Sequence, residues 1–425
     1  MPEFLQLVPP DEARKILLSQ LPEVLIRAEI IKTTQALDSI TSLPVLAPHS
    51  LPEFVRSTVD GYAVKARDTF GAADSQPGYL TLIGEIPMGS RSLHHMKNGQ
   101  CCLIHTGGML PEGADAVVML ENTQLTVVRK TPLEGDEIEI FRAVAPGENA
   151  IQVGEDVMAG SVVIPAGRKL RPAEIGGLMA LGITEISVAQ KPKVGLISSG
   201  DELCDPTTKT LPGQVRDINA YTLATLVQRA GGHPIQYGIV PDIMEELEKT
   251  ARKALSECDI VVITAGSSAS TRDMTAEVID RLGAPGVLVH GINTRPGKPT
   301  ILGVCSGKPV IGLPGNPVSA LVNGTLFVVP LVEKALGANP RPRATITAKL
   351  TVNVPSQAGR EDWIPVKLVS TIDQDQPLRT LFYADPIFGK SNLIFNMAEA
   401  DGLLLISPDV TGIEAGENCE IVLLQ

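Results

Sequence analysis

Five short segments carry residue types that bind or move charged groups. They are Ser199-Gly200-Asp201-Glu202, Pro241-Asp242, the stretch 265–273, the stretch 293–299 and the stretch 314–319. Among them stand four carboxylates, Asp201, Glu202, Asp242 and Asp273, and the oxygens of Glu202, Asp242 and Asp273 suit a hard cation such as Mg²⁺. Gly266 and Ser268 are small enough to let the backbone approach a ligand closely. Arg295 offers a planar fork and Lys298 a compact charge, both fitted to an oxyanion. Asn316 before Pro317 makes a good helix cap and first-turn pair, and the helix start it implies offers N–H groups to an anion, with Ser319 close by. Taken singly, each has a structural explanation: Asp273 as the acid that begins a helix, Asn316 as a cap. Taken together on one edge they make a binding site.

The elements that would put them on one edge are legible as alternation. Apolar runs at 194–198, 235–240, 260–264, 287–290 and 309–313 read as strands, and each runs into one of the five segments. Helical spacing at 217–230, 244–256, 273–282 and 316–334 separates or follows them. Such alternation predicts an open, doubly wound α/β sheet over 193–338, in which ligands bind beyond the carboxyl ends of the strands. Residues 50–145 hold short β-like runs at 79–86, 101–105, 116–119, 125–129 and 137–141, broken by Gly- and Pro-containing turns; this predicts a β-hairpin-rich module. Residues 339–425 show runs at 345–354, 363–369, 378–383, 402–406 and 419–423 without a convincing helix, and predict a small C-terminal β-barrel. Residues 1–49, with a helix opening at Pro10, and 146–192 form a mixed N-terminal and linker part.

The chain has 425 residues and a formal charge of −12, so nucleic acid is disfavoured as a main partner and an anionic small molecule needs local cations. Its hydrophobic and charged fractions, 44% and 20%, are those of a globular protein. The six cysteines form no C-x-x-C pair and read as buried thiols of a reducing compartment. No H-E-x-x-H, no Walker-type loop, no G-x-G-x-x-G after a strand and no G-x-S-x-G is present, which argues against zinc peptidase, kinase, dehydrogenase and hydrolase chemistry. The N-terminus lacks a basic and apolar leader pattern, and no apolar run approaches a bilayer's span; the expectation is a cytoplasmic protein.

Seven motifs then occur in one order. Ser57-Thr58-Val59-Asp60-Gly61-Tyr62-Ala63 resembles the S-A-M-D-G-Y-A signature of the molybdopterin molybdenumtransferases. Thr106-Gly107 with the P-E-G-A-D-A-V-V run from Pro111, Gly154-Glu155-Asp156, Gly200-Asp201-Glu202-Leu203 and Asp217-Ile218-Asn219 resemble further segments of that family. So do Pro296-Gly297-Lys298-Pro299 and the L-P-G-N-P-V-S run from Leu313. Family members are elongated homodimers, in which a MogA-like α/β domain and a β-rich domain of the other subunit enclose the cleft. The resemblance implies insertion of molybdate into adenylylated molybdopterin with release of AMP, supported by Mg²⁺. It implies Glu202, Asp242 and Asp273 as Mg²⁺ ligands, and Asp60, Thr106 and Asp156 as contributions from the β module. Arg295, Lys298, Asn316, Ser319, Arg360 and Ser391 would lie on molybdate, with Gly266 and Ser268 on the substrate. A transient contact with the adenylyltransferase that supplies the substrate is also implied. Ser199 departs from the family's usual Thr, and Ser270 stands where Gly is common. A tungstate-inserting relative, the adenylyltransferase itself and a non-enzymatic scaffold of the gephyrin kind are the rival readings; a T-G-G-T-G loop and a receptor-binding insertion, which the last two would show, are missing.

Overall fold

The computed structural model describes residues 7–23, 25–127, 131–265, 269–340, 342–372 and 380–424, with only the backbone path for 269–273. The chain forms two compact units. Leu43–Ala166 with Pro172–Glu185 make one; the chain up to Ser42, Gly167–Arg171 and everything from Ile186 make the other.

The larger unit is built on a six-stranded sheet. Its elements are β1 (Lys193–Ser199), α1 (Asn219–Arg229), β2 (His233–Val240), α2 (Met244–Glu257), β3 (Ile260–Ala265), α3 (Ala269–Leu282), β4 (Pro285–His290), β5 (Ile301–Cys305), β6 (Lys308–Pro314) and α4 (Pro317–Asn323). The order across the sheet is β2-β1-β3-β6-β5-β4. All six residues of β3 are buried, as a central strand covered on both faces requires. Leu223, Leu226 and Val227 of α1 and Val318 and Val322 of α4 fill one face; Leu247 and Ala251 of α2 and Val278 and Ile279 of α3 fill the other. Each such side chain contributes about 1.5–3 kcal/mol by leaving water, less for alanine.

One strand was not anticipated, and two expectations need correction. The run 301–305 is a full strand, β5, antiparallel to both neighbours. Ser306 and Gly307 both have positive φ, 52° and 77°, the tight hairpin turn that a Ser-Gly pair between apolar runs permits. α3 starts at Ala269, not at 273, so Asp273 lies past the first turn and does not begin the helix. The polar run Ser270-Thr271 hides this start from a hydrophobic-spacing argument. Finally, α4 continues through a wide turn at Gly324–Val328 into Val329–Ala335, where Pro330 cannot donate to the preceding turn. The whole stretch Pro317–Ala335 is long and apolar enough to cross a bilayer by length and composition, contrary to expectation, but 61% of that window is buried in the unit's own core.

Beyond α4, β7 (Thr345–Leu350), β8 (Glu361–Ile372), β9 (Thr380–Pro386), β10 (Gly402–Ile406) and β11 (Asn418–Leu423) close into a ring in the order β8-β9-β7-β11-β10-β8. This is the expected small barrel, with Val366, Ala384, Leu404 and Ile421 fully buried inside it. A short helix, Phe395–Ala398, was not anticipated there. Thr294–Arg295 pairs in parallel with the start of β8, Thr294 to Glu361 and Arg295 to Asp362, which ties the cationic segment to the barrel.

The smaller unit also holds a six-stranded sheet: Ala116–Met119, Gly61–Val64, Gln100–Ile104, Gly78–Glu85, Glu137–Ile140 and Thr123–Leu125, in that spatial order. Gly61–Val64, which the sequence reading treated only as a motif, is a fully buried strand. A Cβ at Gly61 would collide with the carbonyl of Val118, so only glycine allows this close pairing.

Candidate functional site

β1, β2, β3 and β6 are parallel, and β5 runs back from the edge at which β4 ends. The five polar segments therefore do follow the same edge of the sheet, as the alternation required.

At the end of β1, the Ser199 hydroxyl donates to Asp242 Oδ1 at 2.7 Å, and the Asp242 amide donates to Asp201 Oδ1 at 3.2 Å. Asp242 thus has Asp201 as its acidic neighbour across the two loops. Glu202 is exposed beside Gly200, with its own carbonyl accepting from the Val215 amide at 2.8 Å. No group of three or more metal-type side chains is assembled among the described residues. The Asp273 side chain, Gly266 and Ser268 lie outside what is described.

The cationic segment and the start of α4 meet at one cavity of about 560 Å³. Arg295, Lys298, Asn316, Ser319 and Ser391 all line it, together with Lys390, which sequence reasoning missed. A second cavity of about 420 Å³ lies beside the same segment and adds Arg360 to Arg295 and Lys298. Arg295 and Lys298 are exposed and carry no ion pair among the described residues. Arg360 differs: its Nε donates to Asp362 Oδ1 at 2.6 Å and a terminal nitrogen to Oδ2 at 2.9 Å. Asp362 is 1% exposed and also accepts from the Ser356 hydroxyl, so most of the Arg360 charge is spent within the barrel.

Asn316 does hold the cap position before α4, but its side chain makes no capping hydrogen bond. The Val318 amide, which the sequence reading left free for an anion, donates to the Ser391 carbonyl at 3.0 Å. The barrel loop has taken that donor, so Ser319 and Ser391 can serve an anion only through other atoms. Asp217 is buried and accepts from the Ala220 amide at 3.2 Å, which explains the D-x-N spacing as a cap for α1. Asn219 Nδ2 donates to the Gly315 carbonyl at 2.8 Å and fixes the loop before α4.

In the smaller unit, Asp60 Oδ1 accepts from both the amide and the hydroxyl of Thr106, at 2.8 and 3.2 Å. These donors, the amide foremost, hold the Asp60 carboxyl below the usual carboxylate range. His105, missed by the sequence reading, lies 3.7 Å from Asp60 through Nδ1 and 2.9 Å from Glu85 through Nε2. Asp156 is exposed in a turn whose amides donate to Leu51 and Pro52, and no hydrogen bond joins it to Asp60 among the described residues.

With this geometry in hand, likeness to known proteins is informative. Three family models match consecutive stretches: the MoeA N-terminal region (domain I and II) over residues 8–182, the "Probable molybdopterin binding domain" over 195–334, and the MoeA C-terminal region (domain IV) over 347–424. Molybdopterin molybdenumtransferase 2 of Mycobacterium tuberculosis is 31% identical over 92% of this chain and 94% of that protein. The molybdopterin molybdenumtransferase of Haemophilus influenzae is 33% identical over 83% and 84%. The crystal structure of the molybdopterin biosynthesis moeA protein from Pyrococcus horikoshii OT3 superposes with a TM-score of 0.82 at 33% identity, covering 98% of this chain and all of that one.

Proposed function

Because the chain belongs to the MoeA family of molybdopterin molybdenumtransferases, we propose that it moves molybdenum from molybdate onto adenylylated molybdopterin and releases AMP. It is a transferase of molybdenum cofactor biosynthesis. The observation that carries the detailed reading is the cavity shared by Arg295, Lys298, Asn316, Ser319 and Ser391. Molybdate is a tetrahedral dianion, and this wall presents three positive charges, Arg295, Lys298 and Lys390, with no ion pair among the described residues and with short polar side chains beside them. Arg360 borders the same segment and acts mainly by holding the barrel loop in place.

Glu202, Asp242 and Asp273 are our assignment for Mg²⁺. The residues fit that ion: Asp242 and Glu202 present carboxylate oxygens at strand ends, and Mg²⁺ needs only one or two carboxylates when substrate phosphates and water complete its shell. When bound, the ion would offset phosphate charge and polarise the pyrophosphate link. Ser199 orients the Asp242 carboxylate for this role, and Gly266 and Ser268 belong to the loop we assign to the nucleotide. Asp60, held ionised by Thr106, would orient the substrate, with Asp156 beside the same ligand. We infer a cytoplasmic homodimer in which these three come from the partner subunit, a division into 1–49 with 146–192, 50–145, 193–338 and 339–425, and a transient encounter with the adenylyltransferase.

The test is direct: purified chain with adenylylated molybdopterin, Mg²⁺ and molybdate should release AMP and retain molybdenum in the pterin, and chelation should stop it. No AMP release under these conditions would remove the reading. For the shared cleft, chains inactivated by Asp60→Ala and by Asp273→Ala should regain activity when mixed, since one cleft of each heterodimer is intact. No recovery after proven subunit exchange would assign both sets of residues to one chain.

A further inference from the structure

Asn323 ends α4 and is fully buried, next to Val322 and one turn from Leu326. A buried amide is costly unless it is bonded. Its Nδ2 donates to the Ser319 carbonyl at 2.9 Å, one turn back in its own helix, and to the Pro296 carbonyl at 3.1 Å, in the cationic segment. Both partners are acceptors only, so the nitrogen must be the atom that faces them. Oδ1 is left buried with no hydrogen-bond partner among the described residues. Helix packing does not account for this choice, because a leucine has the same branching and would leave no orphaned acceptor. What the amide can do, and no apolar side chain can, is grip two carbonyls from elements far apart in sequence.

The segment is pressed directly onto this amide. Gly297 has φ +111°, and a Cβ there would overlap Asn323 Nδ2. The segment is also closed on itself: the Thr300 amide donates to Gly297 at 3.1 Å and the Ile292 amide to Lys298 at 2.8 Å. It therefore moves as one body, and its height above α4 is set where it touches Asn323. Arg295 and Lys298 flank that contact, and Ser319 is the other end of the same grip.

We propose that Asn323 is a positioning residue: it sets Arg295 and Lys298 against Ser319, and so determines how readily the site takes a small oxyanion. The oxyanion part rests on the function proposed above; the grip on the segment does not.

Asn323→Ser separates the two bonds. A serine hydroxyl in a helix bonds the carbonyl one turn back, so the Ser319 contact is kept while the reach to Pro296 is lost. Asn323→Leu keeps the shape and removes both donors, which provides a second folded variant. Hydrogen exchange at the Ile292 and Thr300 amides should speed by about tenfold or more relative to the buried amides of β6. In the same proteins the molybdate concentration for half-maximal incorporation should rise roughly five- to tenfold, while affinity for adenylylated molybdopterin and the rate at saturating molybdate stay within about twofold. Unchanged exchange overturns the grip, whatever the activity. Faster exchange with an unchanged molybdate requirement, or with equal losses for both substrates, overturns the positioning role. If the unaltered chain shows no molybdate dependence while exchange responds as expected, the function fails and the oxyanion role with it, but the grip stands.

Discussion

Arg360→Ala should damage the barrel more than it damages any ligand contact. The side chain is 25% exposed, while that of Asp362 is 2% exposed. Removing the guanidinium takes away two charge-assisted bonds, at 2.6 and 2.9 Å, and leaves a buried carboxylate with the Ser356 hydroxyl at 3.1 Å. Breaking a buried pair from one side typically costs about 3–5 kcal/mol. Solvent reaches the arginine, so the lower figure is discounted to roughly 2–3 kcal/mol. The chain has one tryptophan, Trp363, buried at 4% exposure next to Asp362, with Nε1 bonded to Glu361 at 2.6 Å. Its ring lies on β8 in the core shared with the α/β part of the unit, so its fluorescence reports loss of that packing. With a urea slope of about 1–3 kcal/mol per molar, the Trp363 transition should fall by roughly 1 M or more. Arg360→Leu with Asp362→Leu should recover most of the loss, since no charge is then stranded. A midpoint within about 0.3 M of the unaltered chain for Arg360→Ala would refute the reasoning, because it would mean that Asp362 finds water or another donor at no cost.

The other cations of the site should behave in the opposite way. Lys298 is exposed and has no ion pair among the described residues, so Lys298→Ala should leave the Trp363 transition in place and raise the molybdate needed for half-maximal incorporation about tenfold, equivalent to ~1.4 kcal/mol. An unchanged molybdate dependence would show that Lys298 does not touch the oxyanion. Asp60 offers a pH reading: its folded pKa is depressed by the Thr106 donors, so its stabilisation is present above the unfolded value near 3.9 and lost as pH falls through the lower folded value. A carbon NMR titration placing Asp60 at or above the ordinary aspartate range would contradict this.

Periodicity located the sheet and its edge because β3 and the centres of β1, β4 and β6 are apolar, and the helices between the strands have a clear inward face, although β2 is a partly exposed edge strand carrying His233 and Gln236. It did not register β5, because the Ser306-Gly307 turn ahead of the 309–313 run was not weighed as a hairpin signal. Residue type and strand order put Arg295 and Lys298 on the edge, while Arg360 joined them only through the family resemblance. What sets Arg360 apart is pairing: Asp362 stands two residues after Arg360, and a sequence does not state which carboxylate is buried. The Asn316–Ser319 helix start was legible, yet its Val318 amide is taken by Ser391, more than seventy positions away in sequence. Only tertiary folding decides which donors remain for a ligand.

The same accounting explains how a chain of charge −12 can hold a dianion. At physiological salt, charges more than about 8 Å away are largely screened, so the surplus of carboxylates elsewhere counts for little. What matters is which nearby cations are uncommitted. Arg360 is neutralised by Asp362, while Arg295 and Lys298 have no carboxylate partner among the described residues. Their segment is held at one end by pairing with β8 and underneath by Asn323, so the charges are kept in place without a partner to hold them. An exposed salt bridge would have ordered the two side chains equally well but would have cancelled the attraction the site needs. Buttressing the backbone and leaving the charges free achieves order and attraction together, and under the proposed reading of the site it would tie oxyanion affinity to two neutral contacts, the pairing with β8 and the Asn323 amide.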